Sequence, residues 1–400
     1  MATSAKLNEA APVSSQGNSN VEALAPRKAV FDFLDLKAQF RTIRDEVMGA
    51  VTRVMESQIF LLGSEVKALE EEYEKEFASK FAVSCASGTD ALVLALTAAG
   101  VGKDDEVITT PFSFVATAGS IARIGAKPVF IDIDPASFNL DPDLIAAAVT
   151  PKTKAVMPVH LFGLAADMNA VETAVAGKNI AVVEDAAQAI GSKFNNEFVG
   201  NLGDFGCFSF FPSKNLGGAG DGGLVTAQTP EAADKLRLLR AHGSRKKYHH
   251  EILGTNSRLD ALQAAILRVK LPHLADWTSG RRARAQRYRE LFEEFNLTSA
   301  VSAPAEPPAA YYHVYNQFSI RSSDRDALRG FLRNSGIPTE VYYPIPLHLQ
   351  PAFSYLGYAP GDFPKAEAAS REVIALPVFP ELTEEQQYSV VQAIAKFYQR

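Results

Sequence analysis

A chain of 400 residues with 47% hydrophobic content can bury a large core, and its length suits one large and one smaller domain. Its 40 basic and 46 acidic residues leave a formal charge of −6 with no lysine or arginine block, which excludes a nucleic-acid footprint. Two cysteines, Cys85 and Cys207, both in apolar segments, cannot supply a secreted disulfide framework and suit reduced core thiols of a cytoplasmic protein.

Residues 1–28 are rich in Ala, Ser, Asn and Gln without apolar periodicity, so a disordered tail is expected there, with neither signal-peptide nor transit-peptide character. Nowhere do about eighteen apolar residues run uninterrupted, which excludes a membrane-spanning helix. Phe40, Ile43, Val47, Ala50, Val51 and Val54 recur at helical spacing, and Val66, Leu69, Tyr73 and Phe77 do so again after Ser64. Two amphipathic helices therefore open the large domain, assigned to residues 29–273.

From Phe81 to about Val225, short Val/Ile/Phe-rich runs alternate with Ala- and Leu-rich helical stretches. That alternation predicts an α/β fold with a mostly parallel sheet covered on both faces. Four places in it carry chemistry. Ser87-Gly88-Thr89-Asp90 follows a strand and opens a helix, where free N–H groups suit a phosphate. Phe114 follows the strand at Glu106–Thr109 and can stack on a flat ring. Asp185 ends the apolar run from Ile180, the position at which open α/β sheets bind ligands, and can hold a ring nitrogen protonated, with Gln188 in reach of a second ring substituent. Finally, Cys207–Phe211 runs into a Pro-Ser break that delivers Lys214 to the mouth of a glycine run. A lysine at an apolar segment end loses pKa by desolvation and can attack a carbonyl.

Gly218, Gly220 and Gly223 match G-x-G-x-x-G, but Leu224–Ala227 after them reads as strand, whereas a dinucleotide fingerprint must open a helix. His249-His250 lacks the cysteine or carboxylate that would complete a metal set. A smaller α+β domain is assigned to residues 274–400, with a helix over Arg281–Glu294, a Pro/Ala-rich linker over Ala303–Ala310, a strand over Val314–Ile320, a helix over Arg325–Asn334 and a strand over Glu340–Tyr343.

In this order and spacing the motifs resemble the pyridoxal-phosphate-dependent sugar-nucleotide aminotransferases of the DegT/StrS type, from Phe33 to near the C-terminus. The resemblance implies the type I aminotransferase fold and pyridoxal 5'-phosphate as cofactor. It implies that Lys214 holds the cofactor as a Schiff base, that Asp185 pairs with the pyridine nitrogen and that Gln188 contacts the phenolic oxygen. Phe114 would stack on the ring, and Gly88, Thr89 and Ser209 would hold the phosphate. A sister group with dehydratase chemistry carries histidine where this chain has Lys214, so the lysine argues for transamination.

The resemblance further implies a homodimer with shared active sites, in which Asn256 reaches the partner subunit's cofactor phosphate while Lys247 and Arg258 face the substrate's diphosphate or sugar. The segment from Tyr343 to Pro351 resembles the substrate-side loop, with Tyr343 and His348 as contacts. Glutamate, becoming 2-oxoglutarate, is the expected amino donor, and carbon 3 of a dTDP-linked 3-oxo-6-deoxyhexose the expected acceptor. His249-His250 is also similar to enzymes acting on UDP-linked 3-oxo uronic acids, from which Tyr342 departs where a histidine is expected. A cofactor-bound sensor of the same fold, without turnover, is the reading from another class.

Overall fold

Apolar runs buried on both faces organise the larger unit. The protein is described here by a computed structural model covering residues 29–399, so the tail expected over 1–28 lies outside the described residues. Seven strands form the central sheet: β1 (Phe81–Cys85), β2 (Glu106–Thr109), β3 (Lys127–Phe130), β4 (Thr153–Val156), β5 (Ala181–Asp185), β6 (Phe205–Ser209) and β7 (Gly223–Ala227). Their spatial order is β1-β7-β6-β5-β4-β2-β3. All neighbours pair parallel except β7, which runs antiparallel to both β1 and β6. The sheet is thus mixed and mostly parallel, and the G-x-G-x-x-G run opens strand β7, not a helix.

Helices α1 (Leu36–Ser57) and α2 (Ser64–Glu76) occupy the two periodic stretches near the start. Asp35 begins α1 by accepting a hydrogen bond from the Ala38 N–H at 2.8 Å, and Ile43, Val47, Ala50 and Val54 form its buried stripe. Two further helices, α3 (Gly88–Ala98) and α4 (Val115–Arg123), follow β1 and β2 directly, which sets their N-termini at the carboxyl edge of the sheet.

A second core is drawn from helices Leu274–Glu294, Arg325–Asn334 and Glu384–Tyr398 and from an antiparallel pair, β8 (Phe318–Arg321) with β9 (Val373–Leu376). Phe31 and Leu34 pack against this core although they precede α1. Three expectations for this region need correction. The helix starts at Leu274 instead of Arg281. The strand predicted over Val314–Ile320 is shorter, because Val314 and Asn316 donate their N–H groups to Gly163 and Phe162 of the large unit instead of to a ladder. Of Glu340–Tyr343 only Glu340 bridges β9, at Ala375, after which the chain turns to wall the cavity described below.

One buried network fixes the carboxyl end of the central strand β5. The Glu184 carboxylate accepts from the N–H groups of Gly200 (2.7 Å), Leu202 (2.9 Å) and Gly203 (2.7 Å), and lies 2.8 Å from His160 Nε2. His160 Nδ1 accepts from the Ala166 N–H, so Nε2 carries the proton and donates to Glu184. Both side chains are fully buried. Glu184→Ala leaves four donors without an acceptor and is expected to cost roughly 3–5 kcal/mol, the penalty for breaking a buried charged network. Urea unfolding of the variant checks this, and a loss under about 1 kcal/mol would show that water replaces the carboxylate.

Candidate active site

Four carboxyl-edge elements converge on one cavity of about 610 Å³. Ser87, the last residue before α3, caps that helix by accepting from the Asp90 N–H at 3.1 Å, and the first N–H groups, at Gly88 and Thr89, have no intrahelical acceptor. Ser209, at the end of β6, faces them so closely that a Cβ at Gly88 would stand 2.7 Å from the Ser209 Cβ. Glycine is therefore required there by packing. The three residues make a small polar cradle at a positive helix end, the chemistry of a phosphate site.

Asp185 ends β5 and turns its carboxylate toward the cavity. Oδ2 accepts from Thr117 Oγ1 at 2.8 Å and Oδ1 from the Ala187 N–H at 3.2 Å. Thr117 has one hydroxyl hydrogen and gives it to Asp185, so Ser113 Oγ, 2.8 Å away, donates to Thr117. Burial pushes the Asp185 carboxyl up from its usual range, while Thr117, Ala187 and the Lys214 charge pull it back.

Lys214 enters the cavity from the turn after β6, where its N–H donates to the Phe211 carbonyl at 2.9 Å. The turn is tight: a Cβ at Gly217 would sit 2.3 Å from the Pro212 carbonyl oxygen. Asn215, next to the lysine, is clamped from the smaller unit by donating to the Val314 carbonyl (3.1 Å) and accepting from Asn316 (2.9 Å). Burial brings the Lys214 amine down from 10.5 to about 8, opposed in part by the Asp185 charge. The amine is thereby placed to be neutral, and nucleophilic, in a mildly basic range.

Gln188 joins both units: its Oε1 accepts from the Phe162 N–H at 2.8 Å and its Nε2 donates to the Tyr343 hydroxyl at 2.9 Å. Phe114 and Phe211, 56% and 51% exposed, present flat apolar faces at the mouth. The structure thus brings together Gly88, Thr89, Phe114, Asp185, Gln188, Ser209, Lys214 and Tyr343. It does not bring His348 to the cavity. The Leu347 N–H is held by the Pro111 carbonyl at 2.7 Å, and the following turn buries the imidazole against Phe363 with Nε2 3.2 Å from Glu367. Lys247, Asn256 and Arg258 do not border the cavity of their own chain; Lys247 lies over the Tyr248 ring and Arg258 buries an Nε without an acceptor.

Sequence reasoning missed Thr117 and Gln317. Thr117 stands three residues beyond Phe114 in the first turn of α4, a helical spacing that would have found it. Gln317 comes from the smaller unit and carries no local signal.

Pyridoxal phosphate fits these residues: an anion cradle, a carboxylate, a depressed lysine and a flat aromatic face surround one cavity of adequate size. Sheet order and site together define a pyridoxal-phosphate enzyme with the type I aminotransferase fold. Comparison with known proteins makes this specific. The chain belongs to the DegT/DnrJ/EryC1/StrS aminotransferase family, which it matches over residues 41–395, and members of that family bind pyridoxal phosphate. It is 53% identical to a pleiotropic regulatory protein of Geobacillus stearothermophilus, over 91% of this chain and 98% of that one. It is 46% identical to the UDP-N-acetyl-3-dehydro-alpha-D-glucosamine 3-aminotransferase of Acidithiobacillus ferrooxidans, over 88% and 94%. It is 41% identical to the dTDP-3-amino-3,4,6-trideoxy-alpha-D-glucose transaminase of Streptomyces venezuelae, over 92% and 96%. The crystal structure of S. venezuelae DesV with a ketimine intermediate superposes with a TM-score of 0.90 at 40% identity, covering 94% of this chain and all of that one.

The lysine environment gives a cofactor-free test. In apoprotein carrying 13C-labelled lysine, one side-chain signal is expected to titrate near pH 8 and to vanish in Lys214→Met. Below that pH the amine is protonated and above it neutral. Asp185→Asn removes the favourable charge and is expected to move the midpoint lower still. A midpoint near that of ordinary lysines would show an amine standing in water.

Proposed function

We propose that the protein transfers the amino group of glutamate to carbon 3 of a nucleotide-linked 3-oxo sugar. One observation carries the reading: Lys214 and Asp185 meet in a single cavity of a chain whose relatives named for dTDP and for UDP substrates both aminate carbon 3. Bound there, pyridoxal phosphate supplies the electron-withdrawing ring that carries the amino group between donor and acceptor. Asp185 keeps the ring nitrogen protonated, supported by the Thr117 and Ser113 hydroxyls. The Lys214 Nζ would move the proton on and off the substrate carbon as general base and acid. Gln188 and Tyr343 would stand beside the phenolic oxygen of the bound ring.

Charge supports the reading of active sites shared between two copies. Among the described residues bordering the cavity Lys214 is the only cation, while Asp185 and Asp221 are anions. A sugar nucleotide brings a diphosphate that needs more positive charge than this. Lys247 and Arg258 supply it in our reading from a second copy of the chain, whose Asn256 reaches the cofactor phosphate. The apolar exterior near Met48, Met55, Ile59, Leu61 and Leu62, with Leu253 97% exposed, suits such an association.

A second reading, a cofactor-bound regulator without turnover, is favoured by the name of the G. stearothermophilus relative. The visible spectrum separates the two. Holoenzyme is expected to absorb at roughly 410–430 nm and to shift to roughly 330 nm with glutamate, a response lost in Lys214→Ala. A dTDP- or UDP-linked 3-oxo sugar should then restore the first band and yield its 3-amino product by mass spectrometry, with kcat lowered at least ~10²-fold in Asp185→Asn. Colourless protein after incubation with the cofactor refutes the assignment, and a glutamate shift with no product from either sugar nucleotide favours the regulator.

A further inference from the structure

An amino acid and a sugar must use the same cavity in turn, and the amino acid brings a charge that the cavity does little to meet. The donor's α-carboxylate sits one bond from the reacting carbon and therefore beside Lys214. Lys214 is the only cation among the described residues bordering the cavity, and it is committed to the cofactor and to proton transfer. Most neutral donors are committed as well. The Ser113 and Thr117 hydroxyls run to Asp185, and the Gln188 amide spans Phe162 and Tyr343. Thr89 and Ser209 belong to the phosphate cradle.

Gln317, from the smaller unit, is free. Its Oε1 is buried, so the open end of this half-buried side chain is the Nε2 donor, which has no acceptor among the described residues. The backbone that carries it is fixed relative to the lysine. Asn316 donates to Asn215 Oδ1 at 2.9 Å, which makes Gln317 and Lys214 the chain neighbours of the two ends of one hydrogen bond. The buried Arg281 guanidinium holds the Tyr315 and Asn316 carbonyls at 3.1 and 3.4 Å, and the Gln317 N–H donates to the Phe162 carbonyl at 3.4 Å. On its other side Gln317 borders a cleft rimmed by Asp134, Asp143 and Asp167, a field that repels anions. A carboxylate therefore meets Gln317 from the Lys214 side.

We propose that Gln317 Nε2 binds the α-carboxylate of the amino donor, an inference that rests on the transaminase reading above. A neutral amide suits a site that serves two substrates in turn. The donor leaves as its oxo acid before the sugar enters, and an uncharged sugar ring then takes the place its carboxylate held. An amide N–H donates equally to a carboxylate and to a hydroxyl oxygen. An arginine would hold the first more tightly but would be left buried and unpaired against the second.

The probe is α-methylglutamate, which keeps the α-carboxylate but has no α-hydrogen, so it binds the holoenzyme and stops before amino transfer. Its neutral counterpart is α-methylisoglutamine, in which the α-carboxylate is a carboxamide. Both are titrated into full-length holoenzyme and followed by the change in its visible band. Gln317→Glu keeps the shape of the side chain and reverses its role, and is expected to weaken α-methylglutamate at least ~10-fold while leaving α-methylisoglutamine within about 2-fold of wild type. Gln317→Met, of similar size, should weaken α-methylglutamate several-fold. Equal loss of both probes in Gln317→Glu, as a merely structural role would give, overturns the proposal, and so does wild-type affinity for α-methylglutamate in both variants. A wild-type holoenzyme that responds to neither probe refutes the glutamate reading itself, and this inference with it.

Discussion

Two successive carboxylates at the end of β5 do opposite work, and the rest of the site hangs on that division. Neighbouring residues of a strand face opposite sides of the sheet, so Glu184 points into the body of the large unit and Asp185 into the cavity. Glu184 gathers the turn at Gly200–Gly203 and the His160 ring beneath the sheet. The His160 backbone N–H in turn donates to the Asp185 carbonyl at 3.0 Å, and the Asp185 N–H to Pro158 at 2.9 Å. The Asp185 backbone is therefore held along the Pro158–His160 segment, whose imidazole the neighbouring carboxylate fixes.

Burial then acts on Asp185 and Lys214 with opposite consequences. It raises the acid and lowers the amine, and the attraction between the two partly restores each. Neither group is left as an isolated charge in an apolar wall. Part of the wall around them comes from the second unit. Asn316 grips Asn215 beside the lysine, and Tyr343 takes the free amide hydrogen of Gln188. The smaller unit is thereby part of the chemistry even though most of the reactive side chains come from the larger one.

The same division explains what could be read in the sequence. Strands buried on both faces are continuous apolar runs, and Phe81–Cys85 and Glu106–Thr109 appear in the fold with the bounds their composition implies. Asp185, at a strand end, and Lys214, in the turn that follows one, were singled out because topology puts strand ends at one edge of a parallel sheet. Val314–Gln317 was not legible as anything but strand, since its hydrogen bonds go to Phe162 and Gly163, about 150 residues earlier in the chain. The Glu184–His160 pair escaped for the same reason, as did the inward rotation of His348, which depends on Pro111 and Glu367.

The cavity floor and its mouth answer to different constraints. Phosphate cradle, carboxylate and lysine are set by the cofactor, so they say nothing about which nucleotide sugar enters. The mouth is formed by Phe114, Phe211 and Tyr342 with the single charge of Asp221, a surface that offers an apolar sugar face good contact and a diphosphate none. The positive charge that a diphosphate would need must then come from groups outside this cavity lining. The basic segment around Lys247 and Arg258 carries such charge but does not border the cavity, and the Arg258 Nε is buried without an acceptor. The groups that fit the cofactor thus gather at the strand ends and the turn after β6, while the basic segment around Lys247 and Arg258 stands apart from that cavity in the same chain.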